Sequence, residues 1–126
     1  FLSFATGTAW GTFGILLPIV MMIGMTPEGE LILIPALGAT LAGSVYGDHC
    51  SPISDTTILS STGAQCVHLR HVETQMPYAT LVAAVCVVGY IIAGFTQNAW
   101  ITLAASILLL LVCLVVLWLK QKKVKS

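Results

Sequence analysis

Residues 47–55 read GDHCSPISD, and the chain on both sides of them is largely apolar. Two carboxylates, a histidine and a proline facing lipid would each be costly, so the segment has to be packed in protein or line a polar cavity. Upstream, Leu31 to Tyr46 (LILIPALGATLAGSVY) is apolar for about 16 residues, roughly 24 Å of helix, which is short for a membrane span. Downstream, TTILSSTGAQ carries hydroxyls that make a poor lipid-facing surface. Together the stretch is too long for one straight span and too short and polar for two. It predicts a discontinuous helix over 31–65, with one half up to Tyr46, an unwound link from Gly47 to Ser54 and a second half beyond it.

The expected break has a chemical cause. Pro52 has no amide hydrogen, and its ring opposes the carbonyl four residues back, that of Asp48, which is therefore predicted to be free. Gly47 adds backbone freedom, and Ser54 or Asp55 suits the N-cap of the following half. Ala39, Gly43 and Gly47 recur at four-residue spacing and predict a close helix-packing face. A solvated turn holding Asp48 and Asp55 is the competing reading. The short upstream span and the uncharged helical length after the motif argue against it.

Composition agrees with a membrane setting. The 126 residues are 57% hydrophobic and 8% charged, with mean hydropathy +0.97, whereas soluble domains carry about a quarter charged residues. An all-α polytopic membrane protein is expected. Pro77 to Phe95 and Ala99 to Leu119 lack charge and are each about 20 residues long, giving transmembrane helices at 77–95 and 99–119. Neither resembles a signal peptide. Residues 120–126 form a basic tail, KQKKVKS, which the positive-inside rule places in the cytoplasm of a multi-pass protein of the cell (inner or plasma) membrane. The turn Thr96 to Asn98 is then external, and the loop Cys66 to Met76, with the sole arginine Arg70, internal. Glu28 and Glu30 are expected in an external loop. The four cysteines show no pairing pattern and read as free thiols.

Residues 1–25 are interrupted in a similar way. Thr6, Gly7, Thr8, Gly11, Thr12 and Gly14 precede an apolar run, which suits the tip of a re-entrant hairpin or, more plainly, a packing face. The chain starts at Phe1 without a methionine and is expected to be the C-terminal part of a longer transporter domain.

The stretches ATGTAWGTFGILLPI (5–19) and GDHCSPISDTTILSS (47–61) resemble the C-terminal signatures of NhaC-type sodium/proton antiporters, within the ion-transporter superfamily. The resemblance implies two inverted repeats, each with a re-entrant hairpin and a broken helix, of which this chain holds most of the second. It also implies that Thr6, Gly7, Thr8, Asp48, Ser51, Ser54, Asp55, Thr56 and Thr57 belong to the ion site, with Gly47 and Pro52 at the helix break. Asp48 and Asp55 are then the sodium ligands. No cofactor is implied, only transported Na+ and H+. The implied partners are the lipid bilayer, the N-terminal half of the transporter and a second copy in a homodimer, with no nucleic acid.

Helix dipoles divide the labour between the aspartates. The end of one half-helix favours a proton on Asp48, while the start of the next favours the carboxylate of Asp55, making it the steadier cation ligand. His49, inside the motif, is a candidate for orienting either aspartate. His68 and His71 read as solvated loop residues; they lack the further ligands a zinc site needs, and a cytoplasmic pH-sensing role is a minor alternative. Exchange of organic acids or amino acids coupled to sodium or protons is the runner-up function, and an inactive truncated fragment a third. An aspartyl protease is disfavoured, because that chemistry needs the carboxylates on two facing helices.

Overall fold

The computed structural model describes residues 1–124, with side chains to Leu119. The described residues form six helices in order: α1 (Leu2–Thr6), α2 (Ala9–Ile23), α3 (Pro27–Cys50), α4 (Asp55–Gly63), α5 (His68–Thr96) and α6 (Ala99–Val124). No strand occurs among the described residues. Segments Pro27–Cys50, His68–Thr96 and Ala99–Leu119 are long and apolar enough to cross a membrane. The protein is thus an all-helical, polytopic membrane protein.

The helix ends follow local chemistry. Thr26 caps α3 by accepting the Gly29 amide at 3.0 Å, and Pro27 occupies the first helical position, where no amide hydrogen is needed. Glu28 and Glu30 lie in that first turn and complement the helix dipole. They are therefore helical, not loop residues. Gln97 ends α5 in the left-handed conformation, and Asn98 Oδ1 then accepts the Trp100 and Ile101 amides at 3.1 and 3.4 Å to start α6.

Helix α3 is the hub. It packs against α1, α2, α4 and α5, whereas α6 packs only on α5 among the described elements. Tyr46 Oη and Thr80 Oγ1, 3.2 Å apart, tie α3 to α5. The interior is polar: Ser3, Thr12, Ser44, Asp48, Ser51, Ser54, Thr57 and Ser61 are buried, against Cys50, Val72 and Val85 among hydrophobic residues. Lipid is as apolar as leucine and gives no reason to bury large aliphatic side chains, so small and hydrogen-bonding residues hold such helices together.

Three sequence expectations change. First, α3 does not unwind at Gly47 but runs through Cys50 and has 24 residues, about 36 Å of helix, so it has a spanning length by itself. The break is confined to 51–54. Second, the Asp48 carbonyl is not free, because the Ser51 amide donates to it at 3.1 Å and closes the last turn one residue tighter. Third, the internal loop expected over 66–76 is mostly helix: α5 starts at His68 and carries Pro77 inside it. A proline within a packed membrane helix is tolerated when neighbouring groups re-satisfy the carbonyl it frees. Of the basic tail 120–126, α6 includes residues up to Val124, and 125–126 lie outside the described residues.

Candidate functional site

The α3–α4 link is held from two sides. Helix α1 lies across the end of α3: Ser3 Oγ donates to the Ser44 carbonyl at 2.6 Å, and Ser51 Oγ donates to the Phe4 carbonyl at 2.8 Å. Only glycine permits this approach at position 47, where a Cβ would stand 2.9 Å from Phe4 N and Ser3 Cβ. Of the predicted stripe, Gly47 alone is a tight packing point. Ala39 is exposed, and a Cβ at Gly43 would meet nothing within 4 Å. The buried line of α3 instead runs through Ser44, Gly47 and Asp48 and continues onto Ser51 of the link.

The α1–α2 turn touches the link itself. Gly7 has φ 68°, and a Cβ there would lie 2.8 Å from the Ile53 carbonyl oxygen. Thr8 caps α2 by accepting the Gly11 amide at 3.4 Å, while the buried Thr12 donates to the Thr8 carbonyl at 2.9 Å. Thr6 is exposed and donates back to Leu2 O at 3.0 Å. Its hydroxyl stays on its own helix.

Asp48 is 4% exposed and faces the start of α4. Ser54 Oγ donates to its Oδ1 at 2.8 Å, and Thr56 Oγ1 donates to its Oδ2 at 2.9 Å. The two hydroxyl oxygens are themselves 2.8 Å apart, so four oxygens close a ring. Ser54 is also the N-cap of α4, accepting the Thr57 amide at 3.4 Å. One side chain thus starts the helix and joins the ring.

Asp55 is placed differently. It is exposed, and its Oδ1 accepts the Thr56 amide at 2.8 Å. The two aspartates share no hydrogen-bonding atom, yet both hold Thr56, one by its backbone and one by its hydroxyl. Asp55 steadies the ring from outside. His49 is not an orienting group for either: it is exposed, and Nδ1 sits 3.0 Å from the Val45 carbonyl of its own helix. Adjacent helical positions point about 100° apart, which turns position 49 away when Asp48 faces inward.

The structure therefore brings together Asp48, Ser51, Ser54, Thr56, Thr57 and Gly7, and leaves Thr6, His49 and the Asp55 carboxylate outside. Sequence reading missed Ser3 and Ser44, whose partners lie far along the chain. His68 is not a solvated loop residue but a half-buried one bonded to Pro52 and Ser61. Among the described residues no group of three or more His, Cys, Asp or Glu side chains is arranged to hold a metal. The donors around Asp48 are all oxygens, the type that hard cations and protons take.

Residues 1–95 match the Na+/H+ antiporter family. An uncharacterised protein of Haemophilus influenzae is 54% identical over 111 residues, covering 88% of this chain and 21% of the relative. The malate-2H(+)/Na(+)-lactate antiporter of Bacillus subtilis is 35% identical over 75% of this chain and 20% of its own length. An uncharacterised Na(+)/H(+) antiporter of Haemophilus influenzae is 36% identical over 68% of this chain and 19% of its own. The chain spans about a fifth of the length of these relatives. No solved structure matches it.

Proposed function

Given that the chain belongs to the Na+/H+ antiporter family, we propose that the Asp48 ring is where a cation and a proton exclude each other in a sodium/proton antiporter. A count of hydrogens carries this reading. Three oxygen–oxygen contacts of 2.8, 2.8 and 2.9 Å close the ring, but the Ser54 and Thr56 hydroxyls supply one hydrogen each. With Asp48 ionised, one contact brings lone pairs together without a hydrogen. With Asp48 protonated, its own O–H fills the gap and all three contacts become hydrogen bonds. A sodium ion relieves the same gap by drawing the lone pairs of several oxygens onto itself. Proton and cation are thus alternative ways to complete one site.

In this reading Asp48 both carries the proton and supplies the anionic charge for sodium. Asp55 holds Thr56 in place and faces outward, toward the rest of the transporter. The chain forms part of the second of two inverted repeats, and the site opens to each side of the membrane in turn. A second reading, exchange of organic acids coupled to sodium and protons, is favoured by the name of the Bacillus relative. Proteoliposomes containing the full-length transporter separate the two. Sodium-driven proton movement without any organic acid supports cation/proton antiport, and a strict requirement for lactate or malate sinks it.

The orientation of the spans follows from the lysines after Leu119. With native cysteines removed, a cysteine at the exposed Gln97 is expected to react with an impermeant external thiol reagent, and one at Lys122 is not. The reverse labelling overturns a cytoplasmic C-terminus.

A further inference from the structure

The α4–α5 junction holds two histidines that the Asp48 ring does not use. The His68 imidazole reaches two places at once, with Nε2 2.6 Å from the Pro52 carbonyl oxygen and Nδ1 3.0 Å from Ser61 Oγ. A carbonyl only accepts, so Nε2 donates. The buried Ser61 has one hydroxyl hydrogen and places it on the Ile58 carbonyl at 2.9 Å. With that hydrogen so placed, Nδ1 has to donate as well, and the ring is an imidazolium. The neutral ring fits when Ser61 turns its hydrogen to Nδ1. The Ile58 carbonyl tolerates that turn, because Thr62 Oγ1 also donates to it at 2.8 Å. Two hydrogen arrangements that differ by one proton therefore fit the same heavy atoms.

We propose that His68 is a positioning residue whose protonation sets how firmly α5 holds the α3–α4 link, and through Ser54 sets the geometry of the Asp48 ring. The proposal rests on that ring being the exchange site. A charge-assisted N–H to oxygen bond is shorter and stronger than a neutral one, and the 2.6 Å contact to Pro52 lies at the short end. Imidazole changes charge between about pH 5 and 8. As a cation the ring grips both Pro52 and Ser61; as a neutral ring it keeps a weaker bond to Pro52.

The titratable and charged groups on the surrounding elements are Glu28, Glu30, Tyr46, Asp48, His49 and Cys50 of α3, Asp55 of α4, Cys66 in the turn, and Arg70, His71, Glu73, Tyr78, Cys86 and Tyr90 of α5. None is hydrogen-bonded to His68 among the described residues. Asp48 is engaged by Ser54 and Thr56, Cys66 by the Ser61 carbonyl, and His71 Nε2 lies 3.2 Å from Ser60 Oγ. His71 thus holds the same helix one residue away.

The test uses His68→Gln and His68→Ala in the full-length transporter, with two readouts. Amide hydrogen exchange over residues 52–56 without sodium reports the grip on the link, and sodium titration across the imidazole range reports the site. Wild-type link amides are expected to lose protection as pH rises. His68→Gln, which keeps a donor for Pro52 but does not titrate, is expected to show flat protection and a sodium profile with a shallower pH slope. His68→Ala is expected to raise the half-saturating sodium concentration about tenfold, the scale of one lost hydrogen bond to a charged group. A His68→Gln variant with the wild-type exchange and sodium profiles overturns the proposal. So does altered protection with an unchanged sodium profile, since the grip then fails to reach the ring. Asp48→Asn measured alongside isolates the premise: unaltered sodium binding in that variant refutes the exchange site, whatever His68 does to the link.

Discussion

Asp48→Asn is expected to abolish sodium binding while leaving the fold intact. The asparagine amide reproduces the protonated ring: its oxygen accepts from Ser54, its NH2 donates to Thr56, and Thr56 is free to donate to Ser54, so each of the three short contacts contains a hydrogen. The site is then locked in its proton-loaded form. Losing one charged partner at a buried site is worth about 3 kcal/mol or more, so sodium affinity is expected to fall at least about a hundredfold. Asp55→Asn is a different case, because an amide oxygen can still accept from the Thr56 amide. Its cost is expected to stay within about 1 kcal/mol, the scale of one charge at a helix N-terminus, with the pH dependence of sodium binding retained. Isothermal titration of sodium at two pH values on both variants checks this. Equal losses in the two, or a pH dependence that disappears only with Asp55→Asn, would falsify the assignment of exchange to Asp48.

Gly7→Ala is expected to give the second large effect, though residue 7 donates no side-chain oxygen to the site. At φ 68° an added Cβ is disfavoured by about 1–2 kcal/mol, and here it also meets the Ile53 carbonyl oxygen at 2.8 Å, a backbone atom that cannot swing aside. The α1–α2 turn and the link have to separate. We expect a lower unfolding midpoint together with weaker sodium binding, because Ile53 immediately precedes Ser54. Gly14→Ala is the control, since a Cβ there meets nothing within 4 Å. It is expected to be neutral or slightly stabilising, alanine being the better helix former. Thermal unfolding of the purified full-length variants decides it, and equal midpoints for the two would remove Gly7 as a contact point for the link.

Composition and residue order are enough to set the class of the protein and the neighbourhood of its site. A chain with so few charges and two long uncharged runs can satisfy its backbone in lipid only as helices, and that constraint is local. A proline between two hydroxyl-bearing, acidic flanks likewise announces an interruption near residue 52. What the sequence left open was which groups meet. The carbonyl freed by Pro52 was the expected ligand, but the Ser51 amide reaches it by tightening the last turn. Local propensity does not reveal that choice, because a last turn can close in the ordinary or the tighter hydrogen-bonding pattern with the same residues.

Only the tertiary structure separated Asp48 from Asp55, turned His49 outward and drew His68 onto the link. Each of these depends on the azimuth at which α3 and α4 emerge from the four-residue break, and α1 sets that azimuth through Ser3, Phe4 and Ser51, more than forty positions away in the chain for each α1–α3 bond. Turning α3 by the roughly 100° of one residue would bring His49 inward in place of Asp48 without altering any sequence pattern. The physical reason is that helix periodicity tells which residues share a face, whereas the face that becomes the inside is chosen by what packs against it.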